Sequence, residues 1–358
     1  LAGLDRDDGP DGARRGGGAD AGLHGPFGGE RIPAAGSRGD QRGAAACQSG
    51  DDLSDAIAIH DALPSATARH RLHAYWDLTK PRIAGMVLVA AMVGFYVSGA
   101  GASGAASWLR LMAALTGIGL VGCGANALNQ YLESDFDAQM VRTRERPIPS
   151  GRLTPFEVLA FGVGISVAGL AVLLFLVNPL SAFLAGLTIA SYVFVYTPLK
   201  RITSLCVYVG AVPGALPPVI GWAAGCGTLT MEAWLLFAIL YFWQLPHFAA
   251  IAWQYRDDYE GAGYPMLSVG DRQGFRTCRH MLTHTVALLM ASLLPALTAM
   301  TGATYAVAAM LLGTAFLLCG ARFVLHRTTL RARGVVIASV VYLPLLFITL
   351  MVDKTPVG

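Results

Sequence analysis

The sequence predicts an all-α, polytopic membrane protein with about nine transmembrane helices. Hydrophobic residues make up 54% of the 358 residues and charged residues only 14%, a balance that excludes an ordinary soluble globule. Apolar runs long enough to cross a bilayer recur from about residue 83 onward. Lys and Arg residues concentrate on one side of these runs, as in multi-pass membrane proteins.

The chain divides into an extension and a membrane domain. Residues 1–74 are rich in Gly, Ala, Asp and Arg and contain no apolar run that could span a membrane. This composition predicts a disordered N-terminal extension. Its acidic residues argue against a transit peptide, and it lacks the apolar core of a signal peptide. Residues 75–358 are predicted to form the membrane domain.

Hydropathy predicts nine spans that bundle around a central cavity. Their approximate bounds are residues 83–101, 107–132, 155–177, 180–197, 203–223, 231–253, 281–301, 303–321 and 335–352. Basic residues precede the first span and follow each even-numbered span, whereas the other side has only Arg110 and Lys354. The positive-inside bias therefore predicts a cytoplasmic N-terminus, a cavity open to the cytoplasm and an outside C-terminus.

The second span ends in a regular stripe of oxygen donors. Asn129, Glu133 and Asp137 recur at every fourth residue, and Asn126 lies one turn earlier, so a helix places them on one face. Carboxylate and amide oxygens suit Mg²⁺, which takes further ligands from water and substrate phosphates. An ordinary helix end is the alternative, but acidic groups near lipid are costly and mark functional sites.

Basic residues follow this stripe directly. Arg142, Arg144 and Arg146 come next in the chain, and guanidinium groups bind phosphate oxygens through paired hydrogen bonds. Acids that hold a metal beside arginines that hold an anion predict a metal-bridged diphosphate site. Lys200 and Arg201, in the short loop after the fourth span, are further diphosphate candidates or simple topology signals.

A second polar constellation lies at the end of the sixth span. His247 directly follows Pro246, and a proline kink in a membrane helix often borders a cavity. Asp258 is three helical turns further on, beside Asp257, so two acidic helix ends could provide two metal subsites for one diphosphate. The alternatives are a histidine bonded to a neighbouring helix and a solvated pair of aspartates.

Six segments carry a resemblance to a known family. They are LTKPRI at residues 78–83, NALNQYLESDFDAQMVRTRERPIPSGR at 126–152, YTPLKR at 196–201, GALPPVIGW at 214–222, WQLPHF at 243–248 and RDDYEGAGYPMLSV at 256–269. Together they resemble the UbiA-type intramembrane aromatic prenyltransferase superfamily, and within it the branch that modifies haem. The extension lies outside this resemblance.

The resemblance implies a role for particular residues. It assigns Mg²⁺ binding to the first Asp-rich motif, Asn129, Glu133 and Asp137, and a functional role to three further positions, Asn126, Arg142 and Arg146. His247, a catalytic candidate as a histidine within a membrane span, stands where quinone-type members tend to have Asp. The second Asp-rich motif is incomplete, because Asp258 fits its last acid but Gln254 stands where another acid is expected. Binding of one or of two Mg²⁺ ions is therefore left open.

The resemblance also implies a reaction. A farnesyl group would pass from farnesyl diphosphate to a vinyl group of haem b, with addition of water and release of diphosphate. His247, beside Trp243 and Phe248, would serve a flat macrocycle, as an iron ligand, a propionate partner or a base. The implied location is the inner (cell) membrane, with haem A synthase or terminal oxidase assembly factors as protein partners and no nucleic acid.

Two other classes of function remain open from the residues. A prenyltransferase for a quinone or other aromatic acceptor would be expected to have a complete second Asp-rich motif. A non-enzymatic transporter or scaffold would be expected to show broken helices in corresponding positions of two halves. Gly214–Pro218 is one such break, without a clear counterpart elsewhere.

Overall fold

The computed structural model describes residues 68–99 and 104–355, and the regular elements within these ranges are all helices. The helices are α1 (Ala68–Thr79), α2 (Pro81–Val97), α3 (Gly104–Leu132), α4 (Ser134–Asp137), α5 (Pro155–Leu176), α6 (Pro179–Ala190), a π-helical turn (Ser191–Tyr196), α7 (Thr197–Leu199), α8 (Cys206–Ala215), α9 (Pro217–Cys226), α10 (Met231–Gln254), α11 (Arg256–Gly261), α12 (Phe275–Leu297), α13 (Ala303–His326) and α14 (Thr329–Val352). The all-α prediction is confirmed.

The described residues contain eight helical segments long and apolar enough to cross a membrane, or nine if the bent pair α1–α2 counts as one span. The prediction of about nine spans is therefore confirmed. The bend of 43° between α1 and α2 occurs at Lys80. The largest cluster of buried apolar side chains takes residues from every span, so the helices form one bundle.

Two predicted boundaries differ from the structure. Helix α1 begins at Ala68, so the last residues assigned to the extension are helical, while residues 1–67 lie outside the described residues. Helix α12 begins at Phe275 rather than near residue 281. Its first two turns carry Arg276, Arg279 and His280, and these polar residues depress the hydropathy although the backbone is already helical.

Small residues set the closest helix contacts. A Cβ atom at Gly94 of α2 would lie 1.9 Å from the carbonyl oxygen of Pro218 in α9, and one at Gly221 would lie 1.9 Å from that of Ala91. Such close approach requires glycine at both positions. The two helices are thereby locked together, which fixes the position of Lys80 just before α2.

The fourth span changes its winding before it reaches the loop. The π-helical turn Ser191–Tyr196 connects α6 to the short helix α7, after which the chain reaches Lys200. Wide turns of this kind are frequent at functional sites. Here the turn precedes Thr197 and Lys200, both of which contact the end of α3.

Candidate active site

The oxygen-donor stripe continues across the end of α3. The backbone breaks from regular helix at Glu133, which has φ −99° and ψ 6°. The amide of Glu133 nevertheless donates to Asn129 at 3.0 Å, and that of Asp137 donates to Glu133 at 2.8 Å. Because this i to i−4 bonding persists, the three side chains keep the common face that their spacing predicts. All three are buried.

Amide side chains anchor this end of α3 to two neighbouring segments. Asn129 donates through Nδ2 to the hydroxyl of Thr197 at 3.2 Å. Asn126 donates to the carbonyl of Thr79 at 3.3 Å, and Gln130 to that of Leu78 at 3.0 Å. These bonds hold the first, second and fourth spans in one arrangement at the same end of the bundle.

Each buried carboxylate is paired with a cation from a different segment. The ammonium of Lys200 lies 3.0 Å from Glu133, and a guanidinium nitrogen of Arg146 lies 2.6 Å from Asp137. Burial raises the pKa of Asp137, while the positive charge of Arg146 acts in the opposite direction. Buried carboxylates without such partners would be strongly destabilising.

Lys80 adds a third cation to this group. Its charge interacts with those of Arg146, Lys200, Glu133 and Asp137. Lys80 has φ 49° and ψ 64°, a left-handed conformation that costs a residue with a side chain roughly 1–2 kcal/mol. Desolvation and the neighbouring cations oppose the charge on Lys80. An anion bound among the three basic side chains would stabilise that charge, so the site favours an anionic ligand. We call these five side chains the acid–cation cluster.

Two of the predicted arginines contact other groups. Arg142 donates to the hydroxyl of Tyr259 at 3.1 Å, and its guanidinium lies 4.9 Å from the ring centre of Tyr255. Arg201 donates to the carbonyl of Leu132 and lies over the ring of Phe136 at 4.4 Å. Arg201 therefore binds the carboxyl end of α3, where a cation stabilises the helix.

The acids after α10 are less enclosed. Asp258 is partly buried and lines a surface pocket together with Arg142, so the structure brings the second acidic end towards one predicted arginine. The side chain of Asp257 is 91% exposed, and its ion pair is with the adjacent Arg256 at 3.4 Å.

His247 lies deeper in α10 and contacts the last span. Its Nδ1 lies 2.7 Å from the hydroxyl oxygen of Ser339, and its ring stacks on that of Trp243 with centroids 5.1 Å apart. The Ser339 hydroxyl donates its hydrogen to the carbonyl of Val336 at 2.6 Å. Ser339 must therefore accept from His247, so Nδ1 carries the proton and Nε2 keeps a lone pair.

A sequence profile decides the family. The profile of the UbiA prenyltransferase family matches residues 87–348. The chain belongs to this family. It is 47% identical over 289 residues to the protoheme IX farnesyltransferase of Solibacter usitatus, covering 78% of this chain and 98% of that protein. It is 42% identical over 283 residues to the protoheme IX farnesyltransferase of Opitutus terrae, covering 78% and 94%.

Solved structures share the fold. A digeranylgeranylglyceryl phosphate synthase aligns with a TM-score of 0.66 and 16% identity, covering 79% of this chain and 98% of the other. A UbiA homologue from Archaeoglobus fulgidus, bound to GPP and Mg²⁺, aligns with a TM-score of 0.54 and 14% identity, covering 77% and 99%. The family assignment makes the chain a prenyltransferase.

The donor set at the end of α3 fits Mg²⁺. Asn129 uses its Nδ2 group for Thr197, which leaves the amide oxygen for a cation, and Glu133 and Asp137 supply hard carboxylate oxygens. Among the described residues, no three His, Cys, Asp or Glu side chains gather as a metal site. A cation here therefore depends on the amide, on water and on substrate oxygens, as is usual for Mg²⁺.

Sequence reasoning missed several residues of the site. Lys80, Gln130, Thr197 and Tyr264 lie within the segments that carry the family resemblance, but none of them is predicted to be a site residue. Tyr264 lies beneath the ammonium of Lys200, which is 4.6 Å from its ring centre. For Lys80 the sequence does contain one signal, Pro81, because the residue before a proline is disfavoured in the helical conformation.

Proposed function

We propose that the chain transfers the farnesyl group of farnesyl diphosphate to a vinyl group of protohaem IX. The observation that carries the proposal is the acid–cation cluster, in which two buried carboxylates and three cations meet at one end of the bundle. Family membership and the names of the relatives supply the reaction class and the acceptor.

The acid–cation cluster would bind the diphosphate. Lys200 and Arg146 now neutralise Glu133 and Asp137. Binding of Mg²⁺ to these carboxylates would supply the positive charge that helps diphosphate to depart. Lys200 and Arg146, together with Lys80, can then bind the phosphate oxygens and stabilise the charge that develops on the leaving group. Arg142, beside Asp258, would extend this positive region.

The acceptor would be served by His247. Its Nε2 lone pair can ligate haem iron or accept a proton, and the stacked ring of Trp243 offers a flat apolar surface. None of its hydrogen bonds within the described residues involves the acid–cation cluster. We therefore assign His247 to the acceptor side and the acid–cation cluster to the donor side.

The proposed reaction has three steps: loss of diphosphate, formation of the carbon–carbon bond and addition of water. The bond between C1 of the farnesyl group and oxygen breaks, and diphosphate leaves with the electron pair. The vinyl carbon of haem attacks C1, which forms a carbon–carbon bond and a cation on the adjacent side-chain carbon. Water adds to that cation and loses one proton to a base, giving a hydroxyethylfarnesyl group.

We also propose an orientation in the cell membrane. The acid–cation cluster would face the cytoplasm and the C-terminus would lie outside, as the distribution of Lys and Arg indicates. Haem A synthase or terminal oxidase assembly factors would receive the product in the same membrane. A reporter fused after Val357 should then read outside and one inserted after Arg152 cytoplasmic. A cytoplasmic C-terminus would refute this orientation.

One assay tests the reaction itself. Membranes containing the chain are incubated with haem b, farnesyl diphosphate and Mg²⁺, and the products are separated by mass. The proposal expects a haem with one added farnesyl group and one added water. If haem b is returned unchanged while a quinone or another aromatic acceptor is prenylated, the acceptor assignment is wrong.

A further inference from the structure

A groove on the side of the bundle has chemistry that the acid–cation cluster does not use. It has a volume of 310 Å³ and is lined by residues of α8, α10 and α12 and of the loops beside them. Its aromatic and basic polar lining comes from Tyr208 of α8 and from Arg276, Arg279, His280 and His284 of α12, with the hydroxyl groups of Ser204 and Thr283 beside them. None of these side chains belongs to the acid–cation cluster.

Hydrogen bonds give the two histidines different roles. The Nδ1 of His284 lies 2.6 Å from the carbonyl oxygen of His280. Because a carbonyl only accepts, Nδ1 of His284 carries the proton and Nε2 keeps its lone pair. Metal-binding histidines are typically fixed in this way, with the other ring nitrogen donating to a carbonyl or carboxylate. Among the described residues, Nε2 of His284 has no hydrogen-bond partner.

His280 acts as a support for His284. Its Nδ1 lies 3.0 Å from the hydroxyl of Tyr208. Its ring centroid lies 4.2 Å from that of His284. His280 is tied to Tyr208 through Nδ1 and packs against the neighbouring imidazole. We therefore take His284, whose Nδ1 is fixed as a donor, as the metal ligand.

The basic and aromatic side chains that line the groove indicate what kind of ligand it could bind. Arg276, His280 and His284 follow at i, i+4 and i+8 on α12, so the exposed Arg276 and the ligand-competent imidazole are separated by roughly 12 Å along the helix. Arg279 is also exposed beside them. The rings of Tyr208 and Phe248 add aromatic surface. A flat, apolar metal complex with carboxylates at one edge matches all of these features.

The groove is also close to the acid–cation cluster. Ala252 and Met266 line it and belong to a packed apolar group that contains Tyr264. The ammonium of Lys200 lies 4.6 Å from the ring centre of Tyr264. The same apolar group therefore contacts both the groove and the proposed diphosphate site.

We propose that this groove is a docking site for the haem substrate on the lipid-facing side of the bundle, with His284 as the iron ligand and Arg276 and Arg279 as partners of the propionates. The inference rests on the proposed function for the identity of the substrate. An anionic lipid would use the two arginines but would have no need for an imidazole with a free lone pair.

The test combines binding and kinetics in the purified, full-length chain. Haem b binding is followed by its absorbance in wild type, His284→Ala and the matched control His326→Ala, a histidine exposed at the end of α13. We expect His284→Ala to lose one class of haem site and to raise the KM for haem about tenfold, equivalent to about 1.4 kcal/mol. Its kcat at saturating haem and its KM for farnesyl diphosphate should stay unchanged, as should all values for His326→Ala.

Two further comparisons identify the ligand. Protoporphyrin IX without iron should bind wild type and His284→Ala equally, because only iron can use the imidazole. The double variant Arg276→Gln, Arg279→Gln should weaken haem binding in nanodiscs of neutral lipid. If the double variant binds haem as wild type does and loses only its binding of anionic lipid, the groove is a lipid site and the proposal is wrong.

The outcomes separate this inference from the proposed function. If wild type forms the farnesylated product but haem binding and the KM for haem are unchanged in His284→Ala, the docking site is refuted and the reaction stands. If wild type forms no such product, the proposed function fails, whatever the haem titration shows.

Discussion

The two acidic helix ends, similar in sequence, have different surroundings. After α3, the side chains of Glu133 and Asp137 are each 2% exposed, and each pairs with a cation from another segment. After α10, the side chain of Asp257 is 91% exposed and pairs with its chain neighbour. The sequence predicts an incomplete second motif and leaves open whether one or two Mg²⁺ ions bind. The structure encloses the first acidic end, whereas at the second Asp257 is exposed and Asp258 is only partly buried.

Burial decides what each end can contribute. Charges interact strongly where water is excluded, and removing one partner leaves the other unpaired. Exposed ion pairs contribute little, typically below about 1 kcal/mol. The enclosed end should therefore dominate both diphosphate binding and catalysis, and substitutions at the two ends should rank accordingly.

The largest effect should come from the enclosed carboxylates. Asp137→Ala removes an oxygen donor and leaves Arg146 without its partner. We expect turnover to fall by about 100-fold or more, the scale of losing a group that stabilises developing charge, with the protein still present in the membrane. Product formation is measured in membranes containing equal amounts of each variant. Full activity of Asp137→Ala would remove the enclosed carboxylates from the mechanism.

A smaller effect should follow at Lys80, where charge and backbone strain can be separated. Lys80→Gly suits the φ of 49° and removes the charge, whereas Lys80→Arg keeps the charge in the same left-handed conformation. We expect Lys80→Gly to raise the KM for farnesyl diphosphate about tenfold without lowering thermal stability. Lys80→Arg should bind the substrate better than Lys80→Gly. If the two variants ranked in the reverse order, Lys80 would matter for the bend and not for the anion.

Arg146→Lys tests the geometry of the cation. Lysine keeps the charge beside Asp137 but cannot offer the planar pair of donors that guanidinium presents to phosphate. We expect about a threefold loss of kcat/KM, equivalent to under 1 kcal/mol. The matched control is Arg144→Lys, because Arg144 is exposed and pairs only loosely with its neighbour Glu145 at 3.7 Å. Equal losses in both variants would point to the general charge of the loop.

The smallest effects should come from the second acidic end. Asp257→Asn should change turnover by less than about twofold, because exposed pairs contribute little. Asp258→Asn should lower turnover somewhat more than Asp257→Asn, because Asp258 is partly buried and shares a pocket with Arg142. Turnover of both variants and of wild type is measured across a range of Mg²⁺ concentrations. A loss of turnover in either variant as large as that in Asp137→Ala would show that this end holds a second metal ion needed for catalysis.

Local geometry explains which parts of the site could be predicted. The stripe Asn129, Glu133 and Asp137 needed only helical periodicity, which survives the break at Glu133. The sequence names Arg146 and Lys200 as diphosphate ligands but not as direct partners of these acids. The ion pair between Glu133 and Lys200 joins residues far apart in the chain. Such pairs depend on how the spans pack, and packing in turn depends on close contacts such as that between Gly94 and Pro218.

Hydropathy had a similar limit at the ends of helices. The number of spans follows from apolar length, but the start of α12 does not, because Arg276, Arg279 and His280 lie within its first two turns. The capping interaction that fixes this end comes from Asp271, whose carboxylate accepts from the amide of Thr277 at 2.7 Å. The loss of these two turns from the predicted span also concealed the groove that they line.

Equilibrium binding of labelled farnesyl diphosphate distinguishes the donor side from the acceptor side of the site. It is measured for wild type with Mg²⁺ and with EDTA, and for Arg146→Ala and His247→Ala with Mg²⁺. We expect a strong loss of affinity with EDTA and in Arg146→Ala, and affinity close to wild type in His247→Ala. If His247→Ala loses the diphosphate while Arg146→Ala retains it, the assignment of donor and acceptor sides is wrong.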